Sequence, residues 1–365
     1  MGPAGSNGEI EIYTTCPGNT SDASVERPGF YTEGGPVYLK RVIDVARWSE
    51  ECGFKGILIY IDNSLIDNWK LAQVILEQTE RLIPLLAVQP VYMHPYWVAK
   101  QIATFGHLYG RQIALNMLAG AFPLDLKELG DTTPHDDRYK RMTEYTTAIM
   151  KLLESDQPTT YAGTYYRLQQ VKMKPPLAKA LKPLVLLSGA SDAGMEAART
   201  LGAVAVRYPK PVTDYEREPL ERDMNFGIRL GIIAREYKEQ AWAIAHKRFP
   251  EDRKGQLTHQ FAERVSDSVW HHELSAVNQG MTDGYPYWLG PFQNFKTFCP
   301  YLVGTYREVS EIVARYIQVG FRTFITDIPP DKEELFHQKI VFELASLQVR
   351  GPALEAPAMQ SDAKR

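Results

Sequence analysis

Gly53-Phe54-Lys55-Gly56-Ile57-Leu58-Ile59-Tyr60-Ile61 is the stretch that decides the fold class. Gly53 ends a helix predicted over 38–52, because glycine takes the left-handed conformation that stops a helix without steric cost. Val42, Ile43, Val45, Ala46 and Trp48 supply the apolar side of that helix. Residues 56–61 then run without a charge or a polar alternation, which fits a strand covered on both faces. A helix followed by a doubly covered strand is the unit of a parallel sheet with helical crossovers.

The unit recurs in both directions from there. Strands are predicted at 10–14, 82–89, 112–117, 183–187, 203–207, 225–234 and 322–326. Helices are predicted at 68–79, 96–109, 142–153, 192–201, 238–248, 306–319 and 332–347. Alternation of about eight strand–helix units predicts a (β/α)8 TIM barrel. A doubly wound Rossmann sheet ranks below it, since no GxGxxG follows the first strand. The expected organisation is a leader at 1–8, a single domain at 9–347 and a flexible tail at 348–365. An aromatic-rich insertion at about 258–301 precedes the last unit and reads as a lid or an oligomer contact.

Bulk properties narrow the class. The net charge of −3 over 365 residues supplies no basic field for nucleic acid or an anionic membrane. No apolar run approaches the roughly 18 residues that span a bilayer. Cys16, Cys52 and Cys299 are odd in number and lack metal-ligand spacing, which predicts a reducing, cytoplasmic setting and no metal centre. Aromatic residues make up 11% of the chain, enough to line a deep pocket.

In a barrel the chemistry gathers where strands end. Reading those ends gives Thr15-Cys16, Ile61-Asp62-Asn63, Gln89-Pro90-Val91, Asn116-Met117, Ser188-Gly189-Ala190-Ser191, Tyr208, Arg229 and Asp327. The set is polar but holds no nucleophile–base pair and no metal-ligand cluster, so a borrowed cofactor is expected to carry the reaction. Leu186 to Gly194 turns an apolar strand through small residues into a helix, which forms either a phosphate cradle or a plain turn with a serine cap. His135-Asp136-Asp137-Arg138-Tyr139 places an imidazole and a phenol four residues apart, able to grip an anionic ligand. The same pentapeptide also reads as an ordinary helix start with acidic residues at the dipole. Arg229, inside a buried strand, must be paired or functional.

These segments together resemble the bacterial luciferase-like flavin monooxygenases, most closely the alkanesulfonate and nitrilotriacetate monooxygenase branch. The resemblance runs from about Ile10 to Leu347 and rests on the pieces quoted above, with His94-Pro95-Tyr96, Arg235-Glu236 and Leu302-Val303-Gly304-Thr305 in the same order. It implies a barrel that binds FMN as FMNH2, delivered by a separate NAD(P)H:flavin reductase. O2 is then activated as a C4a-(hydro)peroxyflavin that oxygenates a small organic substrate. It implies flavin contacts from His135 and Tyr139, phosphate binding by Ser191, and isoalloxazine contacts from Asp62 and Gln89; Ser188, Gly189, Ala190 and Asn116, read from the strand ends, complete the expected cofactor-binding set. Arg229, Tyr208 and Lys296 are the expected catalytic side chains, Lys296 from a mobile lid. Relatives commonly form homodimers or homotetramers.

This chain has Leu65, Gly231 and Tyr208 where sulfonate-cleaving relatives carry cysteine, histidine and tryptophan. Those departures point away from alkanesulfonate, and Tyr60 with the aromatic insertion points to a different, larger or flatter substrate. Two other readings use the same site: F420-dependent hydride transfer without O2, and a non-catalytic flavin-binding partner subunit.

Overall fold

The computed structural model describes residues 9–20, 27–120, 123–265, 269–277 and 285–350. Eight parallel strands form its centre: β1 (Glu11–Thr15), β2 (Gly56–Ile59), β3 (Ile83–Val88), β4 (Ala114–Met117), β5 (Leu184–Ser188), β6 (Val204–Arg207), β7 (Asn225–Arg235) and β8 (Phe321–Thr326). Sequence neighbours pair around the ring, with Thr14 beside Ile57 and Leu86 beside Leu115. The ring closes where β7 pairs with both β6 and β8, and β8 returns to β1 with Ile12 beside Phe324. The chain is a closed (β/α)8 TIM barrel, as the strand–helix alternation predicts.

Seven of the eight strands contribute to one inner cluster of Tyr13, Leu58, Leu85, Ala114, Leu186, Val204, Val206 and Ile325. The glycine of the opening stretch has a packing reason: a Cβ on Gly56 would stand 2.6 Å from the Tyr13 ring. Gly53 takes a φ of 81°, in the left-handed region, just past helix α1 (Gly35–Glu51). Helices α2 (Asn68–Gln78) and α3 (Pro95–Tyr109) cover the outside of the first strands. Among the described residues no helix is long and apolar enough to cross a membrane.

Several boundaries differ from expectation. Helix α4 runs over His135–Glu154 and so begins seven residues before the predicted 142, which puts the HDDRY segment in its first turns. Pro134 sets the extended backbone at its start, and the polar face of those turns hides their helical period from the sequence. A polar hairpin, Thr159–Ala162 with Arg167–Val171, was not expected at all. Helix α5 (Asp192–Leu201) matches its prediction. Residue 258 falls inside a helix, Arg253–Val265, so the excursion before the last unit starts earlier than its aromatics suggest. Strand β7 extends past the barrel, and its second half pairs with Tyr301–Thr305. The last helix continues to Arg350. Residues 1–8 and 351–365, and parts of the 258–301 stretch, lie outside the described residues.

Candidate active site

The strand ends open into a cavity of about 1100 Å³. On one wall stand His135, Tyr139, Ser188, Gly189, Ala190 and Ser191. Asp62, Gln89, Asn116, Tyr208 and Arg229 line the rest of the floor and sides. Thr15 and Cys16 do not join them; both are buried, and the Thr15 hydroxyl donates to the carbonyl of Thr326 at 2.6 Å. Lys296 also stands apart from that set. It is 5% exposed, and its ammonium donates to Asp252 Oδ2 at 2.6 Å.

The first wall follows from its local sequence. β5 ends at Ser188, whose hydroxyl donates to Asn116 Oδ1 at 2.9 Å. Ser191 caps α5, its Oγ accepting from the Gly194 N–H at 3.2 Å. Tyr139 sits one helical turn after His135, and the two rings lie 5.1 Å apart. The Tyr139 phenol meets the Ser191 side chain, and burial pushes its pKa up despite that contact. This arrangement presents hydroxyls and the N-terminus of a ten-residue helix to the cavity, the chemistry that receives a phosphate.

Two strands round the barrel, a second cluster is built around Arg229. Its Nη1 donates to the Tyr208 hydroxyl at 3.3 Å, and its Nη2 lies 3.5 Å from Asp327 Oδ1. The guanidinium carbon stands 4.8 Å from the centre of the Tyr60 ring. This arginine is paired, and it also lines the cavity. Burial pushes the Tyr208 pKa well up, so the phenol keeps its proton at neutral pH. The missing side chain at Gly231 is replaced from elsewhere: a Cβ there would stand 2.2 Å from the Tyr301 ring. Leu65 lines the cavity directly.

An acidic rim and an aromatic roof complete the cavity; sequence reasoning named Asp62 and Asn63 and the aromatic insertion that holds Phe295 and Phe298, but missed Asp125, Arg27 and Phe30. Burial, then Asp62 and Glu128, raise the pKa of Asp125 to about 6. Asn63 joins this rim by donating to the Asp125 carbonyl at 3.0 Å while accepting from Tyr92 at 2.6 Å. Above, the Arg27 guanidinium lies 4.2 Å from the Phe295 ring centre and 5.3 Å from that of Phe298. Phe30 stacks on Tyr60 at 6.0 Å, which links the roof to the Arg229 cluster. The signal available in sequence was the long β1–α1 connection, which is where functional loops of a barrel belong.

The family model of luciferase-like monooxygenases matches residues 23–323. The 4-(gamma-L-glutamylamino)butanoyl-(BtrI acyl-carrier protein) monooxygenase BtrO of Niallia circulans is 33% identical over 310 residues, 83% of this chain and 91% of its own length. Among solved structures, EDTA monooxygenase from Chelativorans sp. BNC1 superposes with a TM-score of 0.70 at 16% identity, over 94% of each chain. An F420-dependent secondary alcohol dehydrogenase superposes with a TM-score of 0.60 at 15% identity, over 92% of this chain and 99% of that one. At such identities the structural likenesses bear on the fold alone.

Proposed function

The chain belongs to the luciferase-like monooxygenase family, and from that premise we propose that it is the oxygenase of a two-component system. It takes FMNH2 from a separate NAD(P)H:flavin reductase and uses O2 to oxygenate a small anionic organic substrate. The observation that carries this reading is that one cavity is lined both by an anion cradle at Ser188–Ser191 and by a buried arginine, Arg229. The residues present fit FMN. A Cβ on Gly189 would stand 2.5 Å from the Tyr139 hydroxyl, so the glycine lets that phenol come down onto the cradle beside the α5 N-terminus, where both would donate to a phosphate.

When bound, reduced FMN supplies the electron pair that reacts with O2. The chain supplies the rest. Ser191, Tyr139 and the α5 N-terminus hold the phosphate, with His135 beside them. Gln89 and Asn116 stand at the ends of β3 and in β4, where they orient the ring system. Phe30, Phe295 and Phe298 exclude water from the reacting centre. Arg229 receives the negative charge of the substrate, and Tyr208, held protonated, fixes that guanidinium. BtrO acts on an acyl group carried by an acyl-carrier protein, so carboxyl-bearing acyl chains, free or carrier-bound, are the first substrate class to try.

Rapid mixing of FMNH2 with aerated buffer tests the reading. With the protein present, the flavin should reoxidise at a changed rate, and when FMN and NAD(P)H replace FMNH2, O2 uptake should require the reductase. An unchanged rate contradicts the proposal. Tight binding of F420 without O2 uptake would favour hydride transfer instead.

A further inference from the structure

Asp327 follows β8 and is 8% exposed. Its Oδ2 accepts from the Thr297 hydroxyl at 2.5 Å and from the Tyr301 hydroxyl at 2.8 Å. Its Oδ1 lies 3.5 Å from Arg229 Nη2, well beyond the roughly 2.7–2.9 Å of a tight guanidinium–carboxylate pair. Arg229 itself is 4% exposed, and its Nε has no hydrogen-bond partner among the described residues. A buried guanidinium with so loose a counter-ion retains charge for a ligand.

We infer that Asp327 is a counter-ion that competes with a substrate anion for Arg229, and that the Thr297 and Tyr301 hydroxyls draw its charge away from the guanidinium and so leave Arg229 open to the ligand. Two donors on one carboxylate oxygen stabilise charge there and weaken what the other oxygen offers Arg229. Thr297 sits in the segment that also carries Phe295 and Phe298, so the stretch that shapes the substrate wall also tunes the arginine's appetite for an anion. The inference rests on the reading of Arg229 as the group that receives substrate charge.

Calorimetric titration of the full chain with benzoate and with its neutral analogue benzamide tests both layers separately. Wild type should prefer benzoate. Thr297→Val, which removes a donor from Oδ2, should weaken benzoate by about threefold to tenfold. Asp327→Asn, which removes the competing charge, should strengthen benzoate by a similar factor. Benzamide should change little in either, and Thr297→Ser should match wild type. If Asp327→Asn does not fold, the contrast between Thr297→Val and Thr297→Ser decides alone. Benzoate affinity that moves in the same direction in Thr297→Val and Asp327→Asn, or does not move, overturns the inference while leaving Arg229 as the anion receptor. Equal wild-type affinity for the two probes overturns both.

Discussion

The Tyr139 hydroxyl lies against the backbone of Gly189, so closely that a Cβ on residue 189 would stand 2.5 Å from it. Gly194 shares the constraint, since its own Cβ would come within 3.2 Å of the Tyr139 ring and of Gly189. A methyl at 189 must therefore push the phenol out of the cradle. Gly189→Ala should weaken FMN binding by about tenfold, or roughly 1.4 kcal/mol, with the melting temperature little changed. Flavin fluorescence titration reads this.

Arg229 supplies the cavity's buried cation. Arg229→Gln keeps hydrogen-bonding capacity but removes the charge, and should weaken a carboxylate ligand by roughly tenfold or more. FMN affinity should fall less, because Arg229 reaches the cavity from β7, two strands round the barrel from the phosphate cradle at the end of β5. Parallel titrations with benzoate and FMN separate the two effects, and a matched loss of both would mean that the arginine is structural.

The acidic rim makes a pH-dependent prediction. An aspartate whose folded pKa is raised, as Asp125 is to about 6, favours the folded state while protonated. That contribution is intact below about pH 4 and is lost as pH rises through about 6. Asp125→Asn should therefore match wild type near pH 4 and melt higher above pH 7. Unscreened, the shift is worth at most about 3 kcal/mol, and solvent at this half-exposed rim cuts it to about 1 kcal/mol. Thermal melts across that range check the sign.

Lys296 tests the roof. Its bond to Asp252 pins a turn in which Phe295 takes a φ of 54°, a strained conformation for an aromatic residue. Asp252 Oδ1 also accepts from the Lys254 and Gly255 N–H groups at the start of the neighbouring helix. Asp252→Ala leaves a buried ammonium without its carboxylate, and should cost about 2–3 kcal/mol of stability in chemical denaturation. Lys296→Met should cost less, because it removes the buried charge along with the pair. A larger loss for Lys296→Met would contradict this account of the turn.

What the sequence revealed depended on how local each signal was. The Gly53 stop, the apolar run at β2 and the small-residue turn into α5 are each written in a few adjacent residues, and the barrel follows from their repetition. Arg229 was legible because a charge inside a buried strand needs a reason. Lys296 was not, since its partner Asp252 lies 44 residues away and nothing nearby says which way the lysine turns. Arg27, Phe30 and Asp125 were missed for the same cause: they reach the cavity from loops and a short helix that carry no periodic pattern. The start of α4 was misplaced because its first turns face solvent and the cavity rather than the core.

Anaerobic titration with FMNH2 and with reduced riboflavin, which lacks the phosphate, tests the central claim most directly. FMNH2 should bind wild type at least about tenfold more tightly than reduced riboflavin, as a phosphate held by charge-assisted hydrogen bonds requires. That preference should fall away in a Tyr139→Phe, Ser191→Ala double variant. Equal affinity for the two reduced flavins in wild type, or a preference untouched by the double variant, would contradict a cradle at Ser188–Ser191.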